Sequence, residues 1–289
     1  MVRIYKWQPI VGSAEGDIWG QLPPSGVLKI FEQSAVAAAA EVGYGKEFHI
    51  RNASAWIIRR MTLLMGTPAR LGDRLELSTW LSNVARVRGN REYILDNLTS
   101  GGAAATGIAE WVYIDRNKVV PKVIPKEIEV DFDIPGAPLH TYEPPAVEPL
   151  EEKAEFATER VAEWYECDSM GHVNNTVYAD WLDSGFRAAM ESAGWDVGVL
   201  KSEGLQLRGE YFAMDYKRPA MPRDHLTTTT RIEGLSSRLC QVYQEIANNE
   251  GTVLLTARSV YGWADRLGTP TDAPAGWVER GFLSASLAS

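Results

Sequence analysis

Asp17-Ile-Trp-Gly20 and Asp168-Ser-Met-Gly171 stand 151 residues apart, and the reading of the whole chain turns on that interval. Other matches follow in the same order. Gly43, after an Ala-rich stretch, answers to Gly194 at the same offset of 151. Asp73-Arg-Leu75 answers to Asp224-His-Leu226, again at 151, and Tyr113-Ile-Asp-Arg116 answers to Trp263-Ala-Asp-Arg266 at 150. Collinear matches at nearly one spacing mark an internal duplication, and a residue lost between them falls where turns tolerate deletion. A chain of 289 residues has room for two domains of this size.

Outward from the Asp–Gly motif, the two copies read alike. A short strand comes first, over Ile4–Val11 and Glu159–Tyr165. A long helix follows the motif. In the first copy it is expected over Ser25–Val42 with Ser25 as N-cap. Its run Ala35–Ala40 is apolar on nearly every side, which predicts a helix buried all round. In the second copy it is expected over Asn175–Ala193, where Val177, Trp181, Leu182, Gly185, Phe186 and Met190 recur at helical spacing. Strands then follow: Trp56–Met65, Arg70–Val84, Arg91–Asp96 and Gly107–Ile114, with a turn at Gly101–Gly102. Their counterparts are Leu205–Tyr216, His225–Glu233, Cys240–Ala247 and Val253–Trp263, with a hairpin turn at Asn249-Glu-Gly251. One long helix with five or so mostly antiparallel strands per half is an α+β pattern. The expected organisation is residues 1–134, a Pro-rich linker at 135–150, residues 151–268, and a tail at 269–289.

Composition bounds the function. The formal charge of −9 argues against nucleic acid as the main partner, though Arg59–Arg60, Arg86/Arg88/Arg91 and Lys217–Arg218 are local basic groups. Each is read either as a solvated strand face or as a surface for an anionic partner. No apolar run reaches the roughly 20 residues of a membrane span. Met1–Ile10 lacks signal-peptide and transit-peptide character, so a cytoplasmic protein is expected. Cys167 and Cys240 give no disulfide framework, and the four scattered histidines give no metal-ligand pair. No cofactor is expected.

The copies diverge where chemistry would sit. The second reads Asp168-Ser-Met-Gly-His172-Val-Asn174-Asn175-Thr-Val-Tyr178, and the first reads Asp17-Ile-Trp-Gly-Gln21-Leu-Pro23-Pro24-Ser-Gly-Val27. Asp and Gly persist; His, both Asn and Tyr belong to the second copy alone. Hydrolysis of an activated carbonyl needs a proton acceptor for water and donors for the developing oxyanion. Asp168 is the candidate to activate water or to attack directly. His172 is placed to orient substrate or shuttle a proton, or else to pack in the core. Asn174 and Asn175 serve as caps or hold the water. The backbone of Gly171–Asn175, leading into a helix N-terminus, is expected to offer N–H groups to a carbonyl oxygen. Gly171, Val173, Asn175 and Tyr178 thus form the expected substrate wall. Cys167 is a poor nucleophile, because the neighbouring negative charge raises its pKa.

Tyr165-Glu-Cys-Asp168-Ser-Met-Gly-His-Val-Asn-Asn-Thr-Val-Tyr178 resembles the signature of hot-dog acyl thioesterases, the 4-hydroxybenzoyl-CoA thioesterase-like group. The first half resembles the acyl-acyl-carrier-protein thioesterases of plants and bacteria, through Trp56-Ile-Ile-Arg-Arg60-Met, Gly72-Asp73, Thr79-Trp80, Gly89-Asn-Arg91, Trp111-Val and Val120-Pro-Lys-Val-Ile-Pro125. The resemblance implies a tandem hot-dog fold, each half a long helix wrapped by an antiparallel sheet. It implies hydrolysis of a fatty acyl chain from acyl carrier protein, or from coenzyme A. Chemistry would lie in the second half and acyl-chain accommodation in the first, along Trp56, Ile58 and Met61. Arg59, Arg60, Lys217 and Arg218 are the candidates to dock an acidic carrier protein. Asp168 and His172 match the family's Asp-x-Asn-x-His motif, with Met170 in the Asn place. Pro219 and Ala220 stand where the plant enzymes carry Glu-Cys. A hydratase and a non-catalytic acyl-thioester-binding protein are the alternatives, and further pairing into a homodimer is left open.

Overall fold

A computed structural model describes residues 3–138, 140–151, 153–274 and 277. The chain forms two compact units, Met1–Glu143 and Pro144–Ser289, so the division falls inside the proline-rich stretch. Among the described residues no helix is long and apolar enough to cross a membrane.

The first unit contains strands β1 (Tyr5–Trp7), β2 (Ser54–Met65), β3 (Leu75–Ala85), β4 (Arg88–Asn97), β5 (Ala103–Asp115) and β6 (Val120–Pro121), with helices α1 (Pro24–Glu41), α2 (Lys46–Arg51) and α3 (Lys126–Asp131). Its strands run in the order β1-β3-β4-β5-β2, each pair antiparallel, with β6 against β5. The second unit contains β7 (Glu155–Val161), α4 (Val177–Ser192), α5 (Val197–Glu203), β8 (Leu205–Tyr216), β9 (His225–Leu235), β10 (Leu239–Asn248) and β11 (Val253–Asp265). Its order β7-β9-β10-β11-β8 is the same path, again antiparallel throughout. This is the tandem hot-dog fold.

The duplication holds at the level of single bonds. Gly43 and Gly194 both take positive φ past the ends of α1 and α4, and both donate back to the helix, to Ala40 O and Glu191 O. That is the left-handed helix stop glycine favours. Asp73 Oδ2 accepts from Arg70 N as Asp224 Oδ2 accepts from Met221 N. Even the irregularities repeat. Arg59 is skipped in the β2–β5 register and Glu210 in the β8–β11 register, 151 residues apart. A bulge reverses which face later residues present.

Each long helix lies on its own sheet. Phe31 of α1 stacks on Tyr93 of β4, centroids 4.4 Å apart, and Phe186 of α4 stacks on Tyr261 of β11 at 3.6 Å. In α4 the buried set is Tyr178, Ala179, Trp181, Leu182, Gly185, Phe186, Ala189 and Met190, one stripe at helical spacing. A Cβ on Gly185 would stand 2.9 Å from Thr228 Cγ2, so the helix touches the sheet there.

Several expectations need correction. Ser25 is not an N-cap: Pro23 holds that place, and the helix starts at Pro24, where a missing N–H costs nothing. Helix α1 is not buried all round, because Val36 is 63% exposed and Lys29, Gln33 and Ala40 also face out. Helix α4 starts at Val177 rather than Asn175, since Asn174 and Asn175 are held in the preceding turn. The first strand is shorter than Ile4–Val11, the strand over 159–165 ends at Val161 in favour of a 3-10 turn at Trp164–Glu166, and β3 begins at Leu75. The short helices α2, α3 and α5 were not anticipated. The Pro-rich stretch is strapped down: Gly136 N donates to Ser82 O, and Leu150 N to Glu233 O. Of the tail, Thr271 N donates to Trp263 O, and Trp277 is buried edge-on against Trp263 at 5.2 Å. Residues 275–276 and 278–289 lie outside the described residues.

Candidate active site

The loop from Asp168 to Thr176 is folded by its own polar atoms. Asp168 Oδ1 accepts from Met170 N at 2.7 Å, Gly171 N donates to Asp168 O, and Asp168 N donates to His172 O. Gly171 has φ +82, the left-handed conformation this turn requires. Asn174 Oδ1 accepts from both the N and Oγ1 of Thr176, while its Nδ2 faces Asp168 Oδ2 at 3.4 Å. One asparagine therefore ties the carboxylate to the start of α4.

The loop is anchored from below by residues the sequence did not single out. Glu166 is buried, and its carboxylate accepts from Glu163 N, the Arg160 guanidinium and Trp181 Nε1 of α4. The Arg160 guanidinium carbon also lies 4.5 Å from a Trp181 ring centroid. Buried charge is tolerated when it is paired and hydrogen-bonded in this way. Tyr178 is 2% exposed and accepts from Ala220 N at 2.7 Å, and burial pushes its phenol up. Tyr216 OH donates to Asn175 O.

His172 is half-buried, and its Nδ1 lies 3.1 Å from Val173 O. A carbonyl only accepts, so Nδ1 carries the proton and Nε2 is the atom left to exchange one. The backbone donors are fewer than expected. The N–H groups of Gly171, Val173 and Asn174 are spent on Asp168 O, Ala220 O and Glu166 O. Only the amides of His172 and Asn175 remain uncommitted in that stretch among the described residues. Cys167 is disfavoured as a nucleophile: burial, then the charges of Asp168 and Glu166, push its thiol up.

Asp168, Gly171, His172, Val173, Asn174, Asn175 and Tyr178 are thus gathered in the second unit. The remaining candidates divide. Trp56, Ile58 and Met61 lie on β2 of the first unit, opposite Tyr113, Trp111 and Ala109 of β5. The bulge at Arg59 puts all three on the core face, which plain alternation would not do. Trp56 also packs against Tyr113 at 5.0 Å in a small cluster with Ile124, Ile128 and Phe132. Arg59 is half-buried and Arg60 exposed; Lys217 pairs with Asp215 at 2.9 Å, and Arg218 is exposed. Arg86 and Arg88 are exposed, Arg88 pairing with Glu110, whereas Arg91 is buried, so a solvated face does not describe Arg91.

Residues 162–280 match the thioesterase-like superfamily. Residues 3–132 match the acyl-ACP thioesterase N-terminal domain. The fold of the chain is that of an acyl-ACP thioesterase from Bacteroides thetaiotaomicron (TM-score 0.70, 17% identity, 89% of this chain and 97% of that one). It is equally that of the 12:0-ACP thioesterase from Umbellularia californica (TM-score 0.69, 16% identity, 91% and 97%). A chloroplastic palmitoyl-acyl carrier protein thioesterase from Arabidopsis thaliana is 22% identical over 185 residues, 62% of this chain. The match spans 42% of that relative's length.

Proposed function

We propose that the protein hydrolyses fatty acyl thioesters, with acyl-ACP as substrate, by Asp168-assisted attack of water. One observation carries this reading: Asp168 spends Oδ1 on the Met170 amide, while among the described residues Oδ2 meets only Asn174 Nδ2, at a long 3.4 Å. A half-buried carboxylate with one such oxygen, beside a histidine whose Nε2 can exchange a proton, suits general base catalysis.

Water loses a proton to Asp168 Oδ2 as its oxygen bonds to the thioester carbon. The carbonyl electrons move to oxygen, where the His172 and Asn175 amides serve as donors. Collapse breaks the carbon–sulfur bond, and the leaving sulfur takes the proton, through His172 Nε2. The products are a free fatty acid and a thiol. The acyl chain runs along the core face of β2, at Trp56, Ile58 and Met61. Arg59, Arg60, Lys217 and Arg218 dock the acidic carrier protein. Coenzyme A is the second reading, favoured by Met170 and by Pro219-Ala220 where the plant carrier-protein enzymes carry Asn and Glu-Cys.

Purified protein assayed with matched acyl-ACP and acyl-CoA series, following thiol release, tests the proposal. Asp168→Asn keeps an acceptor for the Met170 amide but cannot act as the base; a full hydrolytic rate in that variant sinks the mechanism. Enoyl absorbance without thiol release would mark a hydratase instead. Charge reversal at Arg60 and Arg218 is expected to raise KM for acyl-ACP alone.

A further inference from the structure

The turn that leads into the candidate site is built the same way in both copies. Glu166 Oε2 accepts from Glu163 N at 2.7 Å, and Glu166 N donates to Glu163 O. At an offset of 151, Glu15 Oε2 accepts from Gly12 N at 2.8 Å, and Glu15 N donates to Gly12 O. A glutamate that only closes this turn needs no more, and Glu15 does so while exposed.

Glu166 carries further bonds. It is buried, and its Oε1 accepts from the Arg160 guanidinium of β7 and from Trp181 Nε1 of α4. Pro9 and Ile30 stand at those places in the first copy, and their side chains have no N–H to offer. The backbone differs too. Glu166 O accepts from Asn174 N at 2.9 Å, whereas the first copy has Pro23 there, which lacks an N–H. Every bond beyond the shared turn thus belongs to the copy that carries His172. These bonds run from β7 and α4 to the asparagine whose Nδ2 faces Asp168 Oδ2 at 3.4 Å.

A buried ion pair adds little net stability over apolar side chains of similar volume, so stability alone does not account for the arrangement. We propose that Glu166 is a positioning residue for the hydrolysis. Held to β7 by Arg160 and to α4 by Trp181, it fixes Asn174, and Asn174 fixes the carboxylate of Asp168. The proposal rests on Asp168 being the base. Glu166 touches no substrate in this scheme, because both its carboxylate oxygens already accept protein donors. Its effect is geometric: a misplacement of about 1 Å at a reacting group can cost on the order of 10²-fold in rate.

The test is steady-state thiol release by the full chain, on the best substrate of the acyl-ACP and acyl-CoA series. Each variant is assayed at a temperature where its melting curve shows it folded. Trp181→Phe cuts the tie to α4 and keeps the buried ring. It is expected to lower kcat by about tenfold or more with KM unchanged. Glu15→Gln, in the matching turn of the first copy, is expected to leave kcat unchanged. In an Asn174→Ala background, Trp181→Phe should cost little more, because the clamp acts through that asparagine. The proposal is overturned by a wild-type kcat in Trp181→Phe, by a change confined to KM, by an equal loss in Glu15→Gln, or by fully additive losses in the double variant. Should Trp181→Phe not fold, Arg160→Gln, read against the same controls, decides. A wild-type protein that releases no thiol, or Asp168→Asn at full rate, sinks the hydrolytic reading and this proposal with it. Impaired Asp168→Asn beside unimpaired Trp181→Phe sinks this proposal alone.

Discussion

The turns at Asp17 and Asp168 are nearly one structure with two fates. In the first, Asp17 Oδ1 accepts from Trp19 N and Gln21 N, and Gly20 N donates to Asp17 O. In the second, Asp168 Oδ1 accepts from Met170 N, and Gly171 N donates to Asp168 O. Both glycines have positive φ. Aspartate and glycine are therefore the structural requirement of the turn, whichever copy carries it. What the second copy adds is Asn174 on the other carboxylate oxygen, His172 in place of Gln21, and Tyr178 in place of Val27. The shared residues report the fold, and the unshared ones report chemistry.

The largest expected effect separates these roles. Asp168→Asn should lower the hydrolytic rate by roughly 10²–10⁴, the usual range for a positioned general base, while Asp17→Asn leaves it unchanged. Steady-state rates with matched melting curves check this. If both variants behaved alike, the asymmetry between the copies would have no catalytic meaning. His172→Gln, which writes the first copy's residue into the second, is expected to lower the rate on the order of 10²-fold with little change in stability. An unchanged rate would return His172 to the role of a packing residue.

Next comes a structural effect. Tyr178→Phe removes the acceptor of a buried Ala220 N–H. Leaving that donor unsatisfied should cost about 1–3 kcal/mol, measured by urea unfolding. The first copy manages with Val27 at the equivalent place, where Ala69 is the counterpart of Ala220 in the loop before β3. A neutral result would mean that the Ala220 amide finds another partner.

Much of this was legible in the sequence, for a physical reason. A duplicated turn keeps the residues its backbone demands, so Asp17/Asp168, Gly43/Gly194 and Asp73/Asp224 exposed the fold. Helical spacing likewise exposed the buried stripe of α4. The helix starts were not legible, because Asn174 holds the turn from Oδ1 while Pro23 caps α1 without a side-chain bond. The backbone donors were overcounted, because nothing local says that Gly171, Val173 and Asn174 spend their N–H groups on Asp168, Ala220 and Glu166. The latter two bonds reach beyond the motif itself. Arg91 looked like part of an exposed basic group, since its inward direction depends on strand register.

The smallest effect concerns pH, and it too sets one copy against the other. His49 of α2 stands where the second copy has Leu200, which is 3% exposed in α5. Burial holds the His49 pKa below its ordinary value, against a backbone hydrogen bond at Tyr44 that raises it, and Ser54 Oγ lies 3.0 Å from its Nδ1. The sign follows from proton counting. Between the ordinary histidine value of about 6.5 and the depressed native one, the unfolded chain binds more protons than the folded chain, so stability falls as pH falls. Above that window both states are neutral at this residue and it adds no slope. His49→Leu should therefore flatten the melting temperature between neutral and mildly acidic pH relative to the wild type. Its absolute stability is also expected to shift at every pH, since the Ser54 hydroxyl loses a partner, so the slope is the quantity to compare. Parallel curves for the two proteins would mean that His49 takes up its proton as readily when folded as when unfolded, and that its half-buried setting costs the charged ring nothing.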